Sequence, residues 1–273
     1  MVAEFIDIRV HGEASLPVLV YLPGLHGDWT LLGGFRRQLA GRVRLVEARY
    51  PRTTSASLED YAGAMDAALA AHGVTCGWLL AESFGSQVAW AFLARPRQFQ
   101  AVGLVLAGGF VRYPLIPAVR GCRRLFGHLP APWLVGSMRA YARGLRWRLG
   151  ADADAAELDE FVQRRTEADR EAAIHRLRLI EAADPRDVAR RVTLPVFHLT
   201  AGIDVIVPWP PVRHWLRRHC PGYRATRVLA SADHNVLGGS PERGGGAIGC
   251  LAGCLIPELS ESRSRLAGQA TVA

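Results

Sequence analysis

The sequence contains no lysine. All 33 side chains counted as Lys or Arg among its 273 residues are therefore arginine, and together with 28 glycines this composition is typical of a gene with GC-rich codons. The arginines are scattered, as in the pairs Arg36-Arg37 and Arg190-Arg191, and they form no basic block. The formal net charge of +8 therefore does not indicate a nucleic-acid partner, which would need a concentrated basic patch.

Cysteine is also scarce. The two residues closest in sequence, Cys250 and Cys254, have no second Cys or His pair nearby to complete a zinc site. The sequence therefore predicts reduced thiols and no metal site. The five cysteines are Cys76, Cys122, Cys220, Cys250 and Cys254.

Long apolar runs are missing as well. No apolar stretch approaches the roughly 20 residues that span a bilayer. The opening "MVAEFIDIRVHGEA" has neither the basic segment nor the apolar segment of a secretory signal. Because 49% of the residues are hydrophobic, the chain can bury a sizeable core. We expect a cytoplasmic protein without a membrane span.

Strand-like and helix-like segments alternate along much of the chain. One helix is predicted over residues 57–73, where Ser57 and Asp60 resemble a capping box. Strands that alternate with helices predict an α/β fold with a mostly parallel central sheet and helices on both faces. The predicted strands lie within residues 4–10, 16–24, 43–51, 77–82, 101–109, 194–202 and 223–230.

The alternation stops between residues 110 and 193, where Arg, Trp and Pro are frequent and the later part is helical in pattern. We expect residues 1–109 and 194–240 to form the α/β core and residues 110–193 to form a mainly helical lid. Residues 241–273 are glycine-rich and lack an amphipathic pattern. They predict an atypical loop or a poorly ordered tail.

The string "LLAESFGSQVAW" places Ser83 between a strand and a helix, with Ala81 and Gly85 two positions to either side. A tight strand-to-helix turn exposes its central side chain at the carboxyl edge of the sheet, and it tolerates only small residues at those two flanking positions. The pattern predicts that Ser83 is a nucleophile. The alternative is that Ser83 only caps the helix that follows.

A nucleophilic serine needs a base, and the base needs an orienting carboxylate. Asp204 and His234 each follow a strand-like segment, so both are expected at the same sheet edge as Ser83. Either residue alone could be an ordinary loop residue, but the order Ser, Asp, His predicts a catalytic triad. Asp233 and Asp187 are the next candidates for the acid.

The loop "PGLHGDW" at residues 23–29 is glycine-rich and follows the second strand. The N–H groups of Leu25 and of Phe84, the residue after the serine, are predicted to form an oxyanion hole. His26 is the second candidate donor on this loop, and a less favoured interpretation makes it the catalytic base.

These stretches together resemble the α/β-hydrolase superfamily over roughly residues 16–109 and 194–237. The resemblance implies a triad of Ser83, His234 and Asp204 under a lid formed by residues 110–193. The serine argues against the haloalkane dehalogenase and epoxide hydrolase branches, which use Asp at this position. Related proteins usually follow the histidine with an amphipathic helix, and the glycine-rich tail departs from that pattern. The matching stretches are "LPGLHGD", "LLAESFGSQVA", "VGLVLAGG", "LPVFHLTAGIDVIVP" and "ADHNVL".

The expected function is hydrolysis of a carboxylic ester or thioester through an acyl-serine intermediate, with a small-molecule acyl substrate and no cofactor. The alternatives are a lyase or C–C bond hydrolase with the same triad, and a non-catalytic ligand-binding protein. Arg120 and Arg139 are candidates for contact with an anionic substrate, although packing and solvated surface explain most such residues better. The candidates for an apolar acyl pocket are Leu115, Phe126 and Trp133.

Overall fold

The computed structural model describes residues 6–129, 136, 140, 160–161, 163–202, 204–230, 232 and 234–238. The strands are β1 (Asp7–His11), β2 (Val18–Leu22), β3 (Arg44–Arg49), β4 (Cys76–Glu82), β5 (Gln100–Ala107), β6 (Val196–Ala201) and β7 (Tyr223–Leu229). The helices are α1 (Gly33–Leu39), α2 (Leu58–Ala71), α3 (Gly85–Leu93), α4 (Ile116–His128), α5 (Glu167–Ala182), α6 (Arg186–Ala189) and α7 (Trp209–His219).

The strands form one sheet of seven, in the order β1-β3-β2-β4-β5-β6-β7. β1 pairs antiparallel with β3, and every other neighbouring pair is parallel. The sequence predicted a strand within residues 4–10, and β1 lies there at one edge of the sheet. Since β2 to β7 run the same way, their carboxyl ends meet at one edge of the sheet, where ligands bind in open α/β folds.

Alternate residues of each central strand contribute to two separate hydrophobic cores. In β2, Val20 and Leu22 pack in a core that includes residues of α2 and α3, whereas Leu19 and Tyr21 pack in a core that includes Phe35 of α1. This period of two follows from the pleat of a strand. The sheet therefore carries helices on both faces, and the predicted fold class is confirmed.

Two helices begin with reciprocal side-chain caps. At α2, the Asp60 N–H donates to Ser57 Oγ over 3.2 Å, and the Ser57 N–H donates to the Asp60 carboxylate over 2.8 Å. The capping box predicted from the sequence is therefore present. Thr166 and Asp169 form the same box at the start of α5.

The described part of the insert between β5 and β6 includes α4, α5 and α6. α4 packs against α5, and Glu181 of α5 accepts hydrogen bonds from Arg120 over 2.7 Å and from Arg123 over 3.2 Å. The action of the insert as a lid stays a prediction. The predicted tail at 241–273 lies outside the described residues. Among the helices that the structure describes, none is long and apolar enough to cross a membrane.

Candidate active site

Ser83 sits in the turn between β4 and α3 with a φ of +47°, the only positive value among the described non-glycine residues. A side chain with a Cβ atom is disfavoured in this region, and the Ser83 N–H holds the turn by donating to the Ala107 carbonyl over 3.0 Å. The N-cap of α3 is Phe84, and no side chain caps this helix. The helix-cap interpretation of Ser83 is therefore wrong. The turn has the strained strand-to-helix geometry that the sequence predicted, and the role of Ser83 as a nucleophile stays a prediction.

The small residues around Ser83 are required by close backbone contacts. A Cβ atom added to Gly85 would lie 2.3 Å from the Leu22 carbonyl oxygen, far inside van der Waals contact. Ala81 is fully buried. A Cβ atom added to Gly109 would lie 3.3 Å from the Ala81 carbonyl oxygen. The steric argument made from the sequence therefore holds at position 85, where glycine is needed, and position 81 carries a small, fully buried alanine.

The structure brings Ser83, His234 and Asp204 together at the carboxyl edge of the sheet. His234 Nε2 lies 3.0 Å from Ser83 Oγ, and His234 Nδ1 lies 2.8 Å from Asp204 Oδ2. The His234 side chain is 15% exposed, and the Asp204 side chain is fully buried. The hydroxyl, the imidazole and the carboxylate thus form one continuous hydrogen-bonded chain, with the carboxylate at its buried end.

The Asp204 carboxylate is stabilised in its ionised form. Burial acts to raise its pKa, but the hydrogen bond and charge of His234, with the N–H groups of Val207 and Ile206, outweigh burial and hold the pKa below its ordinary value. The two N–H groups donate to Asp204 Oδ1 over 2.8 Å and 3.0 Å. Oδ2 is left to face the imidazole, which fixes the ring orientation.

The alternative acid and base have other partners. Asp187 accepts a hydrogen bond from Arg190 over 2.6 Å, and Asp233 lies outside the described residues. The His26 Nε2 atom lies 2.9 Å from the Asp28 carbonyl oxygen, and burial lowers the pKa of His26. In the part of the chain that the structure describes, no cluster of three His, Cys, Asp or Glu side chains could hold a metal ion.

Gly108 supports the histidine from the end of β5, and sequence reasoning missed it. Its φ is +56°, and an added Cβ atom would lie 3.2 Å from His234 Cε1 and 3.3 Å from His234 Nδ1. The glycine therefore leaves the space that the imidazole occupies. The signal was the Gly108-Gly109 pair directly after a buried strand, where two glycines often mark a close approach.

The loop of residues 23–29, called the oxyanion loop here after its predicted role, passes directly beside the serine. A Cβ atom added to Gly24 would lie 3.5 Å from Ser83 Cβ. The N–H groups of Leu25 and Phe84 donate to no other group among the described residues. Their role as oxyanion donors stays a prediction.

Two arginines of the insert hold this loop in place, and no pattern in the sequence indicated them. Arg176 Nη1 donates to the Leu25 carbonyl over 2.9 Å. Arg165 Nη2 donates to the Asp28 carboxylate over 2.7 Å, and Arg165 Nη1 donates to the His26 carbonyl over 3.3 Å. Both arginine side chains are nearly buried. The insert therefore fixes the loop that carries one predicted oxyanion donor.

A second buried pair lies directly behind the elbow. The Tyr21 hydroxyl donates a hydrogen bond to the Glu82 carboxylate, and both side chains are buried. Burial, with the neighbouring Glu82 charge, raises the pKa of Tyr21 well above its ordinary value. The phenol therefore keeps its proton and links β2 to the end of β4, next to Ser83.

The predicted substrate-contacting residues of the insert are only partly described. Leu115 precedes α4 and is 51% exposed, whereas Phe126 is half-buried and packs against the core. Trp133 and Arg139 lie outside the described residues, and Arg120 is paired with Glu181. Contact of any of these residues with a substrate stays a prediction.

No protein-family model matches the sequence, and no curated protein matches it. Similar solved structures include an esterase from Exiguobacterium antarcticum, with a TM-score of 0.72 and 13% identity over 93% of this chain and 95% of that chain. An esterase from Rhodococcus sp. has a TM-score of 0.70 and 19% identity, over 93% and 94% of the two chains. A thermophilic esterase from Thermogutta terrifontis has a TM-score of 0.68 and 21% identity, over 94% and 93%.

These similarities extend over nearly the whole length of both chains, and a further similar structure is described as an alpha/beta hydrolase enzyme. The chain therefore has the α/β-hydrolase fold, and the prediction made from its motifs is confirmed at the level of the fold. A fold of this kind hosts many reactions, so the function has to be argued from the site.

Proposed function

We propose that this chain is a serine hydrolase that cleaves a carboxylic ester or thioester through an acyl-serine intermediate. The observation that carries the proposal is the hydrogen-bonded chain from Asp204 through His234 to Ser83. A serine hydroxyl is a weak nucleophile, and a base within hydrogen-bond distance is what activates it. The esterases of similar fold support the choice of an ester bond.

In the first half of the reaction, Ser83 Oγ attacks the carbonyl carbon while His234 Nε2 accepts the hydroxyl proton. The carbonyl oxygen becomes an oxyanion, which the N–H groups of Leu25 and Phe84 stabilise. Asp204 holds the imidazole in the required tautomer and stabilises its protonated form. The tetrahedral intermediate then collapses, and the alcohol or thiol leaves with the proton from His234.

In the second half, a water molecule attacks the acyl-serine carbonyl and gives a proton to His234 Nε2. The second tetrahedral intermediate collapses, the carboxylic acid leaves, and the imidazole returns the proton to Ser83 Oγ. The balance is one water consumed for one ester or thioester bond cleaved. Every group that these steps use belongs to the chain, the substrate or the water.

The surface next to the triad supports a substrate with an apolar portion. Val205 and Ile206 directly follow Asp204 and are 86% and 49% exposed. Leu115 is a third exposed apolar residue. Exposed apolar residues beside a site are a common feature of ligand-binding surfaces.

The test is the hydrolysis of nitrophenyl esters from acetyl to octanoyl, and of the matching thioesters, followed by stopped-flow absorbance. We expect a burst of nitrophenol equal to the enzyme concentration, followed by slower turnover, because the acyl-serine forms before it is hydrolysed. Ser83→Ala is the negative control, and it should release no burst of nitrophenol. The absence of turnover on every ester and thioester would contradict the proposal.

The same assay separates the alternatives that the sequence left open. A lyase or C–C bond hydrolase would turn over none of the esters, although its serine would still react with a fluorophosphonate. A non-catalytic binding protein would show neither turnover nor labelling. Steady turnover that persists in Ser83→Ala would place the chemistry on another group.

A further inference from the structure

A cleft of about 460 Å³ opens beside the oxyanion loop. His26 and Gly27 of the loop form part of its wall, and five arginine and three aspartate side chains also line it. The cleft differs in character from the apolar surface near Val205, because its lining is mainly polar and carries an excess of positive charge.

The aspartates of the cleft are already paired. Asp7 pairs with Arg49, and Asp169 pairs with Arg52 over 2.8 Å. The third, Asp28, pairs with Arg165, which is not among the cleft-lining arginines. Each of the three aspartate charges in the lining is therefore already paired with an arginine.

Two of the lining arginines keep an uncompensated charge. Neither Arg9 nor Arg176 has a carboxylate partner among the residues that the structure describes. The Arg9 guanidinium stacks over the Trp29 ring, 4.2 Å from its centroid, which orients it without neutralising it. A surplus of positive charge at a partly enclosed surface favours an anion.

Two residues that line the cleft also carry a buried hydrogen-bond donor without a partner among the described residues. Arg176 is 2% exposed and Tyr50 is 3% exposed. The Arg176 Nε atom and the Tyr50 hydroxyl have no hydrogen-bond partner among the described residues. Burial raises the pKa of Tyr50 well above its ordinary value, so the phenol keeps its proton. A buried donor without a partner is costly, and an acceptor in the cleft would relieve that cost.

We propose that this cleft binds a carboxylate or phosphate group of the substrate, held by Arg176, Tyr50 and Arg9. This inference rests on the proposed function, because it assigns the anion to the molecule that Ser83 attacks. Arg176 also donates to the Leu25 carbonyl, and the Tyr50 ring packs edge-on against Phe84 with centroids 6.0 Å apart. Two residues of the anion site therefore contact the two residues that carry the predicted oxyanion donors.

The arginines of this site differ from those that the sequence suggested. Arg120 lies on α4 and is engaged by Glu181. Arg9 and Arg176 come from β1 and α5, and both line the same cleft. An ester whose acyl chain or leaving group ends in an anion therefore fits the cleft better than a fully neutral ester.

The test compares nitrophenyl hemisuccinate with nitrophenyl butyrate, two esters whose acyl chains have the same length and differ in a terminal carboxylate. The measured quantity is the ratio of their kcat/KM values at fixed ionic strength, because salt screens exposed charges. Tyr50→Phe removes one donor and keeps the packed ring. Arg9→Gln removes the exposed charge. Arg176 is left intact because it also holds the loop.

Arg42→Gln is the matched control. Arg42 is exposed and lies just before β3, at the amino edge of the sheet, opposite the site. We expect the wild type to prefer the succinate ester. Tyr50→Phe should lower that preference roughly tenfold, as for a buried hydrogen bond to a charged group, and Arg9→Gln should lower it about threefold, as for an exposed charge. Arg42→Gln should leave the preference unchanged.

A second measurement uses inorganic phosphate as the probe. Phosphate should inhibit hydrolysis of the succinate ester competitively, and Tyr50→Phe should weaken that inhibition. Turnover of the butyrate ester without a preference for succinate would overturn the anion site and leave the serine hydrolase intact. Phosphate binding that does not compete with the succinate ester would overturn the assignment of the anion to the substrate. Failure of both esters to react would count against the proposed function itself.

Discussion

The Nε2 atom of His234 lies 3.0 Å from the Oγ atom of Ser83, although 151 positions separate the two residues in the chain. The two side chains follow β4 and β7, which are separated in the sheet by β5 and β6. The loops after these two intervening strands supply Asp204, which is hydrogen-bonded to the imidazole, and Gly108, which leaves room for it. The geometry of the pair therefore depends on all four strand ends.

The first prediction concerns Asp204→Asn. The amide keeps the shape of the carboxylate but favours the wrong imidazole tautomer and gives no charge to the imidazolium, so kcat should fall by roughly 10⁴. Ester hydrolysis and thermal unfolding should be measured together, because the folded state is expected to persist. Asp187→Asn is the control, since Asp187 sits in a surface pair with Arg190. A fall in kcat of less than about tenfold in Asp204→Asn would mean that another residue is the acid of the triad.

The second prediction uses two glycines with similar backbones and different surroundings. Gly108→Ala and Gly73→Ala each place a side chain at positive φ, +56° and +65°, so each should lose about 1–2 kcal/mol of stability. Only the Cβ atom at position 108 would press on His234, because nothing lies within 4 Å of the one at position 73.

The expected result is a fall in kcat/KM of roughly tenfold for Gly108→Ala, because small displacements of a catalytic group are costly. Gly73→Ala should hydrolyse the same ester at the rate of the wild type. Denaturant melts give the stability of each variant, and initial rates give kcat/KM. Equal rates in the two alanine variants would show that Gly108 does not set the position of the imidazole.

The elements nearest the serine could be predicted because their signals are local. Alternation of apolar residues located the strands, and the small residues at positions 81 and 85 located the elbow. The order of Ser83, Asp204 and His234 followed from the rule that parallel strands end at one edge. Each of these inferences needs only a short window of sequence and a known topology.

The contacts that hold the oxyanion loop could not be predicted in this way. Arg165 and Arg176 meet the loop from 137 and 151 positions away, and no local pattern distinguishes them from the other arginines of the insert. The choice of partner depends on how the insert packs on the core. The partner of Arg120 could not be predicted for the same reason. The sequence suggested a substrate contact, whereas the structure pairs Arg120 with Glu181.

The third prediction concerns stability at mildly acidic pH. His198 is buried in β6, where burial outweighs the attraction of the Asp204 charge and lowers the pKa of His198 to about 4. An unfolded histidine titrates near ~6.5. The folded state therefore binds a proton at His198 less readily than the unfolded chain does. The stability that neutral His198 contributes is fully present above pH ~6.5, and it is lost as the pH falls toward 4.

Between about pH 7 and pH 5 this difference amounts to roughly 2 kcal/mol. Urea unfolding of the wild type and of His198→Leu at both pH values measures it, and the variant should lose less stability on acidification than the wild type. His72→Gln is the control for the loss of a histidine at an exposed position. An identical pH dependence in wild type and His198→Leu would show that His198 is protonated as readily in the folded state as in the unfolded chain.

The most direct test of a catalytic Ser83 is its reaction with a fluorophosphonate, followed by mass spectrometry of the intact protein and its peptides. We predict one adduct per chain on the peptide that contains Ser83, none in Ser83→Ala, and much slower labelling in His234→Gln, because the imidazole must take the hydroxyl proton. Ser55→Ala, which changes an exposed serine, should label as the wild type does. An adduct on another serine, or labelling that persists in Ser83→Ala, would contradict the assignment of Ser83 as the nucleophile.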